Sequence, residues 1–202
     1  MALVKICGLR REEDILYAND LKVDYVGFVF ANSKRQVTLE IAKGLVNRLD
    51  KDIKKVGVFV NEDVGRINEV CKNLSLDVIQ LHGDEPPDVI GMFDLEVWKA
   101  IRVRDRKDIE KAKGYKSQGV LLDTYVEGTY GGTGKMMDLE VLKDINIDAK
   151  VILAGGLNVK NVGLGIDKVK PYIVDVSSGV ETDGYKDYEK MKEFVRRVRE
   201  HG

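Results

Sequence analysis

Short apolar runs alternate with charged, helix-period stretches along the whole chain. Eight of the runs read as strands, at residues 3–7, 25–30, 56–60, 78–82, 97–101, 120–123, 151–154 and 173–176. Most are near-continuously apolar, as parallel strands covered on both faces require. Between them lie amphipathic stretches at 11–20, 38–49, 62–74, 106–113 and 187–200. In the last of these Tyr188, Met191, Phe194, Val195 and Val198 recur at helical spacing, and Asp187 stands where an acidic side chain caps a helix. Segment 86–93 is short and has the poorest helical pattern. Eight strand–helix units without a composition break predict one domain, residues 1–202, closed as a (β/α)8 TIM barrel of the ribulose-phosphate-binding type. An open doubly wound sheet is the competitor. Its dinucleotide version carries Gly-x-Gly-x-x-Gly after the first strand, where this chain has Cys7-Gly8-Leu9-Arg10.

At 202 residues the chain sits at the short end for one barrel and is too short for two comfortable domains. Hydrophobic residues make up 44%, enough for a sizeable core, and no run of 18 apolar residues predicts a membrane span. The first residues move directly into a strand pattern without a secretion-signal pattern, so a cytoplasmic location is expected. With 33 basic and 34 acidic residues the net charge is −1, which offers no footprint for nucleic acid or an anionic membrane. Charged residues reach 33%, above the roughly 25% of an average domain, and the Lys/Glu-rich, Gln-poor usage resembles heat-adapted proteins. Cys7 and Cys71 are far apart, with no Cys-x-x-Cys pair or Cys/His cluster, so neither a disulfide nor a metal site is expected.

In such barrels the active site is built at the carboxyl ends of the strands. The groups this chain places there are Cys7, Arg35, Asn61, Gln80 with His82, Arg102, Asp123, Gly155-Gly156 and Ser177-Ser178-Gly179. Polar and titratable groups concentrated on one rim are hard to explain by packing. The glycines after the seventh strand and the Ser-Ser-Gly after the eighth stand where these barrels hold a phosphate, with backbone N–H groups as donors. Gly155-Gly156 alone would equally make a tight turn; both loops together favour the anion.

Other groups stay open on spacing alone. Asp123, before a glycine loop at 130–134, reads equally as a turn cap or as an acid whose proton is held near neutral pH. Alternation puts Lys5 and Cys7 on one face of the first strand and Val4 and Ile6 on the other. Cys7 is either a buried core thiol or, at a glycine-flanked strand end, a base or nucleophile activated by a nearby cation. Cys71, on an amphipathic stretch, reads as structural. A lysine inside a barrel, such as Lys5, must find a carboxylate or reach solvent, and a pairing that also lowers the thiol pKa is one outcome. Gln80 and His82 read as rim residues bonded to neighbouring loops or as site residues, and His201 as a solvated tail residue.

Together the motifs resemble the phosphoribosylanthranilate isomerase family. They are Lys5-Ile-Cys-Gly-Leu9, Tyr25-Val-Gly-Phe-Val-Phe30 with Ser33-Lys-Arg35, Val56-Gly-Val-Phe-Val-Asn61 and Ile79-Gln-Leu-His-Gly83. Leu121-Leu-Asp-Thr124, Gly131-Gly-Thr-Gly134, Leu153-Ala-Gly-Gly-Leu157 and Val174-Asp-Val-Ser-Ser-Gly-Val-Glu181 complete the order to the last strand. The resemblance implies an enzyme of tryptophan biosynthesis that needs no cofactor or metal. It would carry out the Amadori rearrangement of a phosphorylated small molecule, N-(5'-phosphoribosyl)anthranilate, as a monomer or homodimer. It also implies that Cys7 is the general base, Asp123 the general acid and Arg35 the partner of the anthranilate carboxylate. Gln80, His82, Gly155, Gly156, Ser177, Ser178 and Gly179 would bind substrate. After residue 134 the family often has aromatic residues where this chain has Lys135-Met-Met-Asp138, which bears on loop packing. Rivals on the same scaffold are indole-glycerol-phosphate synthase, the tryptophan synthase α subunit and a histidine-pathway isomerase, which place other acids and lysines at the strand ends. A non-catalytic phosphosugar-binding protein would dispense with Cys7 or Asp123.

Overall fold

Each of the eight apolar runs becomes a strand, with ends that differ from the sequence pattern by two residues or fewer. They are β1 (Leu3–Cys7), β2 (Tyr25–Val29), β3 (Lys54–Phe59), β4 (Val78–Leu81), β5 (Glu96–Val103), β6 (Gly119–Thr124), β7 (Lys150–Leu153) and β8 (Ile173–Val176). The computed structural model describes residues 1–124, 139–142 and 145–201. The strands pair in parallel and in chain order, and β1 pairs with β8 to close the barrel. The glycine loop at 130–134 and the Lys135-Met-Met-Asp138 departure lie outside the described residues.

The helices are α1 (Glu12–Leu21), α2 (Leu39–Val46), α3 (Val64–Leu74), α4 (Arg106–Ala112), α5 (Val162–Val169) and α6 (Tyr188–Glu200). Their starts follow the sequence chemistry: Thr38, Asp63, Asp105 and Asp187 each accept a backbone N–H of the first turn. The 86–93 segment is a 3-10 stretch (Pro87–Met92), because Pro86-Pro87 withholds two backbone donors and Gly91 lowers helix propensity near its end. Two features escape the hydrophobic pattern. Gly163 and Gly165 dilute the apolar stripe of α5, and a two-residue hairpin, β9 (Glu181–Thr182) and β10 (Tyr185–Lys186), follows β8. That hairpin turns on Asp183-Gly184, both at positive φ, the dipeptide suited to a tight hairpin turn. No helix among the described residues is long and apolar enough to cross a membrane.

The two-residue period of the strands sorts the side chains. Val4, Ile6, Val26, Phe28 and their equivalents point outward into the layer shared with the helices. Tyr25, Val56, Val78, Trp98, Leu121, Ile152 and Ile173 point inward and plug the amino-terminal half of the barrel. Trp98, fully buried, donates Nε1–H to Glu96 Oε1 at 2.7 Å, and its ring lies 5.2 Å from that of Tyr25. Burying a side chain of this size stabilises by roughly 4–6 kcal/mol of transfer free energy. Above the plug the inward positions turn polar: Lys5 and Cys7, Gln80, Asp123, Asp175.

Candidate active site

The polar inward positions open into a cavity of about 360 Å³ at the carboxyl ends of the strands. Cys7, Arg35, Gln80, His82, Asp123, Gly155, Gly156, Ser177 and Ser178 all line it. Gly179 does not. It packs beneath the loop, where an added Cβ would lie 1.9 Å from the Leu157 carbonyl oxygen, so its place is to bring the β7 and β8 loops together. Asn61 and Arg102 also stand outside the cavity. Asn61 ties the end of β3 to the β4 loop by accepting from Asp84 N at 2.7 Å, and Arg102 pairs with Asp84 at 2.5 Å.

One wall carries a chain of three hydrogen-bonded side chains. His82 Nε2 lies 3.1 Å from Asp123 Oδ2, and Gln80 Nε2 lies 2.9 Å from His82 Nδ1. With the Gln80 amide nitrogen donating to Nδ1, the ring proton sits on Nε2 and is donated to Asp123. Gln80 Oε1 is buried and has no partner among the described residues. His82 and Gln80 therefore serve Asp123 as well as facing the cavity, a link their spacing could not reveal.

The opposite wall carries the thiol. Cys7 is 8% exposed, at the end of β1. Lys5, fully buried on the same face, donates to Asp175 Oδ1 at 3.0 Å. Of the two outcomes open to this lysine, a carboxylate or solvent, barrel closure supplies the carboxylate, since Lys5 and Asp175 are register partners on β1 and β8. Burial opposes the charge of Lys5, but Asp175 and Cys7 together raise its pKa. Burial also pushes the Cys7 thiol up, against the pull of Lys5 and Lys186. Ser177 Oγ donates to the Cys7 carbonyl at 2.9 Å, fixing the end of β1 to the β8 loop.

Arg35 is held as well. Its Nε and Nη2 donate to the two carboxylate oxygens of Glu181 at 2.7 and 2.8 Å. Its stem crosses Gly8, where an added Cβ would meet Arg35 Cδ at 2.5 Å. Lys186 Nζ reaches the same carboxylate at 2.8 Å. Glu181, though buried, is kept below the usual carboxylate range by these two cations. Asp175, Glu181 and Lys186 are the members that strand and motif patterns did not single out as site residues. The available signal was an aspartate inside an otherwise apolar β8.

Gly155 and Gly156, at φ of +80° and +67°, line the cavity beside Ser177 and Ser178, and successive glycines in such a conformation can form a nest of backbone N–H groups. Such a nest holds an anion without a net positive charge. Among the described residues no three His, Cys, Asp or Glu side chains converge as they would around a metal. Cys71, by contrast, packs in the core from α3, and burial pushes its thiol up to about 11. His201 is exposed, as its place in the tail suggests, and lies over Gly163 with Nδ1 3.3 Å from Asp167 Oδ1.

Comparison with known proteins decides the family. Residues 4–197 match the family model described as N-(5'phosphoribosyl)anthranilate (PRA) isomerase. The chain belongs to the phosphoribosylanthranilate isomerase family. It is 56% identical over 200 residues, 98% of each chain, to the N-(5'-phosphoribosyl)anthranilate isomerase of Thermoanaerobacter sp. (strain X514). Among solved structures, the family's enzyme from Thermotoga maritima superposes with a TM-score of 0.91 at 38% identity, over 99% of this chain and 100% of that one. A further family structure, at TM-score 0.85 and 36% identity over 99% of this chain and 100% of that one, holds reduced 1-(o-carboxyphenylamino)-1-deoxyribulose 5-phosphate. The (β/α)8 barrel and the isomerase class expected from the motifs are thus established.

Proposed function

We propose that Cys7 and Asp123 are the base and the acid of an Amadori rearrangement that turns N-(5'-phosphoribosyl)anthranilate into 1-(2-carboxyphenylamino)-1-deoxyribulose 5-phosphate. The observation that carries this reading is that both side chains and the β7 and β8 loops face one cavity, the thiol and the carboxyl three strands apart around the barrel. Asp123 delivers its proton to the ribose ring oxygen. The C1–O bond breaks as the nitrogen lone pair forms a C=N bond. The Cys7 thiolate then takes the proton from C2, and the released electrons give the enolamine, which becomes the ketone by losing the O2 proton and gaining one at C1. Each such group contributes about 10²–10⁴-fold.

The other residues position the substrate. Gly155, Gly156, Ser177 and Ser178 take the phosphate, Arg35 the anthranilate carboxylate, and Gln80 Oε1 a sugar hydroxyl. Remote phosphate binding is thereby converted into orientation at C2. The chain acts as one barrel domain in the cytoplasm, as a monomer or homodimer.

The decisive experiment follows the loss of phosphoribosylanthranilate fluorescence on adding the purified protein and its Cys7→Ala and Asp123→Asn variants. Turnover by the parent, and its loss in both variants with binding of a reduced product analogue retained, is the expected result. Near-normal turnover by either variant refutes its assigned role. No turnover by the parent at any temperature up to its melting point refutes the whole reading.

A further inference from the structure

Cys7 lies among five charged side chains drawn from five parts of the chain. Lys5 comes from β1, Asp175 from β8, Glu181 from β9, Lys186 from β10, and Arg35 from the loop after β2. None of these side chains is more than 10% exposed. Across the cavity stand His82 and Asp123, hydrogen bonded to each other. The pairing of the five is uneven. Lys5 has Asp175 to itself, whereas Arg35 and Lys186 share the single carboxylate of Glu181. Three cations and two carboxylates leave one positive charge without an anion in a buried setting. An uncompensated buried charge is costly, so the cluster favours one further negative charge. Cys7, on the same cavity wall as Arg35 and Asp175, is the ionisable group beside it.

Lys186 is the cation that makes the difference. Its Nζ donates to the Ser177 carbonyl at 3.1 Å and reaches Ser177 Oγ at 3.4 Å, and that hydroxyl binds the Cys7 carbonyl. The hairpin thus brings the ammonium to the Cys7 end of β1. Arg35, committed on one edge to Glu181, faces Cys7 as well.

We propose that Lys186, carried on the β9–β10 hairpin, is a positioning residue that favours the thiolate form of Cys7 against burial, with Lys5 as its counterpart inside the barrel. The proposal rests on the assignment of Cys7 as base and names what activates it. Burial, helped by Asp175, leaves the thiol above its ordinary value, and the two lysines are the groups that work against that rise. Burial also lowers the pKa of Lys186 itself, opposed by Glu181, so the charge of the hairpin lysine depends on the carboxylate it shares.

The test reads ionisation directly, as the rate of Cys7 alkylation by iodoacetamide against pH in a Cys71→Ala background. Lys186→Gln keeps a donor for Ser177 and removes the charge. Its alkylation limb is expected to move to higher pH by about one unit or more, a roughly tenfold slower reaction at any fixed pH below the limb. Lys186→Arg is expected to stay near the parent. The double variant Lys186→Gln/Glu181→Gln restores one excess cation by freeing Arg35, and its limb is expected to move back toward the parent. A structural role for Lys186 would give the double variant no such recovery. An unmoved limb in Lys186→Gln, or coincident limbs in the single and double variants, overturns the proposal. Should the variants not fold, the parent decides: with Cys71 retained, a Cys7 limb at or above that of Cys71 also overturns it. Turnover by Cys7→Ala would overturn the base assignment instead, and the alkylation limbs distinguish the two failures.

Discussion

Gly27→Ala probes how closely the base is seated. Gly27 lies opposite Cys7 in the β1–β2 register, and its missing side chain is the space the thiol occupies. An added Cβ would lie 2.8 Å from Cys7 Sγ, 3.2 Å from Cys7 Cα and 3.3 Å from Lys5 Nζ. Ordinary contacts need about 3.5–4.0 Å, so the thiol must retreat by roughly 1 Å, and the Lys5 ammonium with it. A displacement of that size at a reacting atom lowers kcat by about 10²-fold, or about 2.7 kcal/mol of barrier. KM should hold, because the β7 and β8 loops are untouched. Overpacking removes about 1–3 kcal/mol of stability, and replacing a strand glycine by alanine returns about 0.5–1. The net loss of about 0–2.5 kcal/mol leaves the variant folded. Gly57→Ala is the control, since its Cβ would press Leu76 Cδ1 at 2.5 Å and Phe59 Cε2 at 2.8 Å in the outer layer. It should lower the melting temperature and leave kcat alone. Steady-state turnover with thermal unfolding on both variants measures this. A Gly27→Ala enzyme with parental kcat, or a folded Gly57→Ala enzyme equally impaired, refutes the reasoning.

Three other outcomes are expected from the same geometry. Asp175→Asn strands Lys5 in the barrel and should remove about 3–5 kcal/mol in urea unfolding. Because the folded pKa of Lys5 is raised, the pair's contribution is complete below the unfolded value and is lost only as pH rises through the folded one. The stability gap between parent and variant should therefore be flat across neutral pH and narrow in alkali. Asp108 behaves oppositely: bonds from Arg104 and Lys111 hold its carboxyl well below the usual range, so its contribution is present above the unfolded pKa and lost in acid. Asp108→Asn should flatten the acid limb of the stability profile, and an unchanged limb would contradict the assignment. Gly156→Ala, at φ +67°, strains the β7 loop by about 1–2 kcal/mol and, on the proposed phosphate site, should weaken inhibition by inorganic phosphate. Unchanged inhibition would remove the loop from the phosphate site.

What could be read from the sequence tracked the range of the interactions involved. Strands and most helices declare themselves through short-range hydrophobic period, and Asp187 through local capping, so these were legible. α5 was not, because Gly163 and Gly165 occupy positions where packing against the barrel outweighs helix propensity. The alternation in β1 put Lys5 and Cys7 on one face and left Lys5 either a carboxylate or solvent. Which carboxylate it was depends on closure of the barrel, which places residue 175 beside residue 5. The Gln80–His82–Asp123 contacts span β4 and β6, and Lys186 sits on a strand of two residues, too short to show any period. Asp183-Gly184 was the one local sign of that hairpin.

The Glu181 pairing sharpens the place of Arg35 instead of removing it from the substrate. A guanidinium carries five N–H donors in a fixed plane, and a carboxylate engages one edge at a time. Glu181 takes the Nε–Nη2 edge, and in the proposed binding mode the Nη1 donors meet the anthranilate carboxylate. Glu181 then acts as the jig that sets the angle of the Arg35 plane, and Lys186 holds the jig in turn. A substrate carboxylate arriving at Arg35 adds a negative charge to a cluster that the Cys7 thiolate has already balanced, and so it works against that thiolate. The positive charge that forms on the imine nitrogen as the ring opens offsets the arriving carboxylate and lowers the barrier to removing the C2 proton. In this arrangement the thiolate is most populated before substrate binds, and the proton it removes is most acidic after ring opening. The order of events that the mechanism needs is thus written in the charge balance around Cys7.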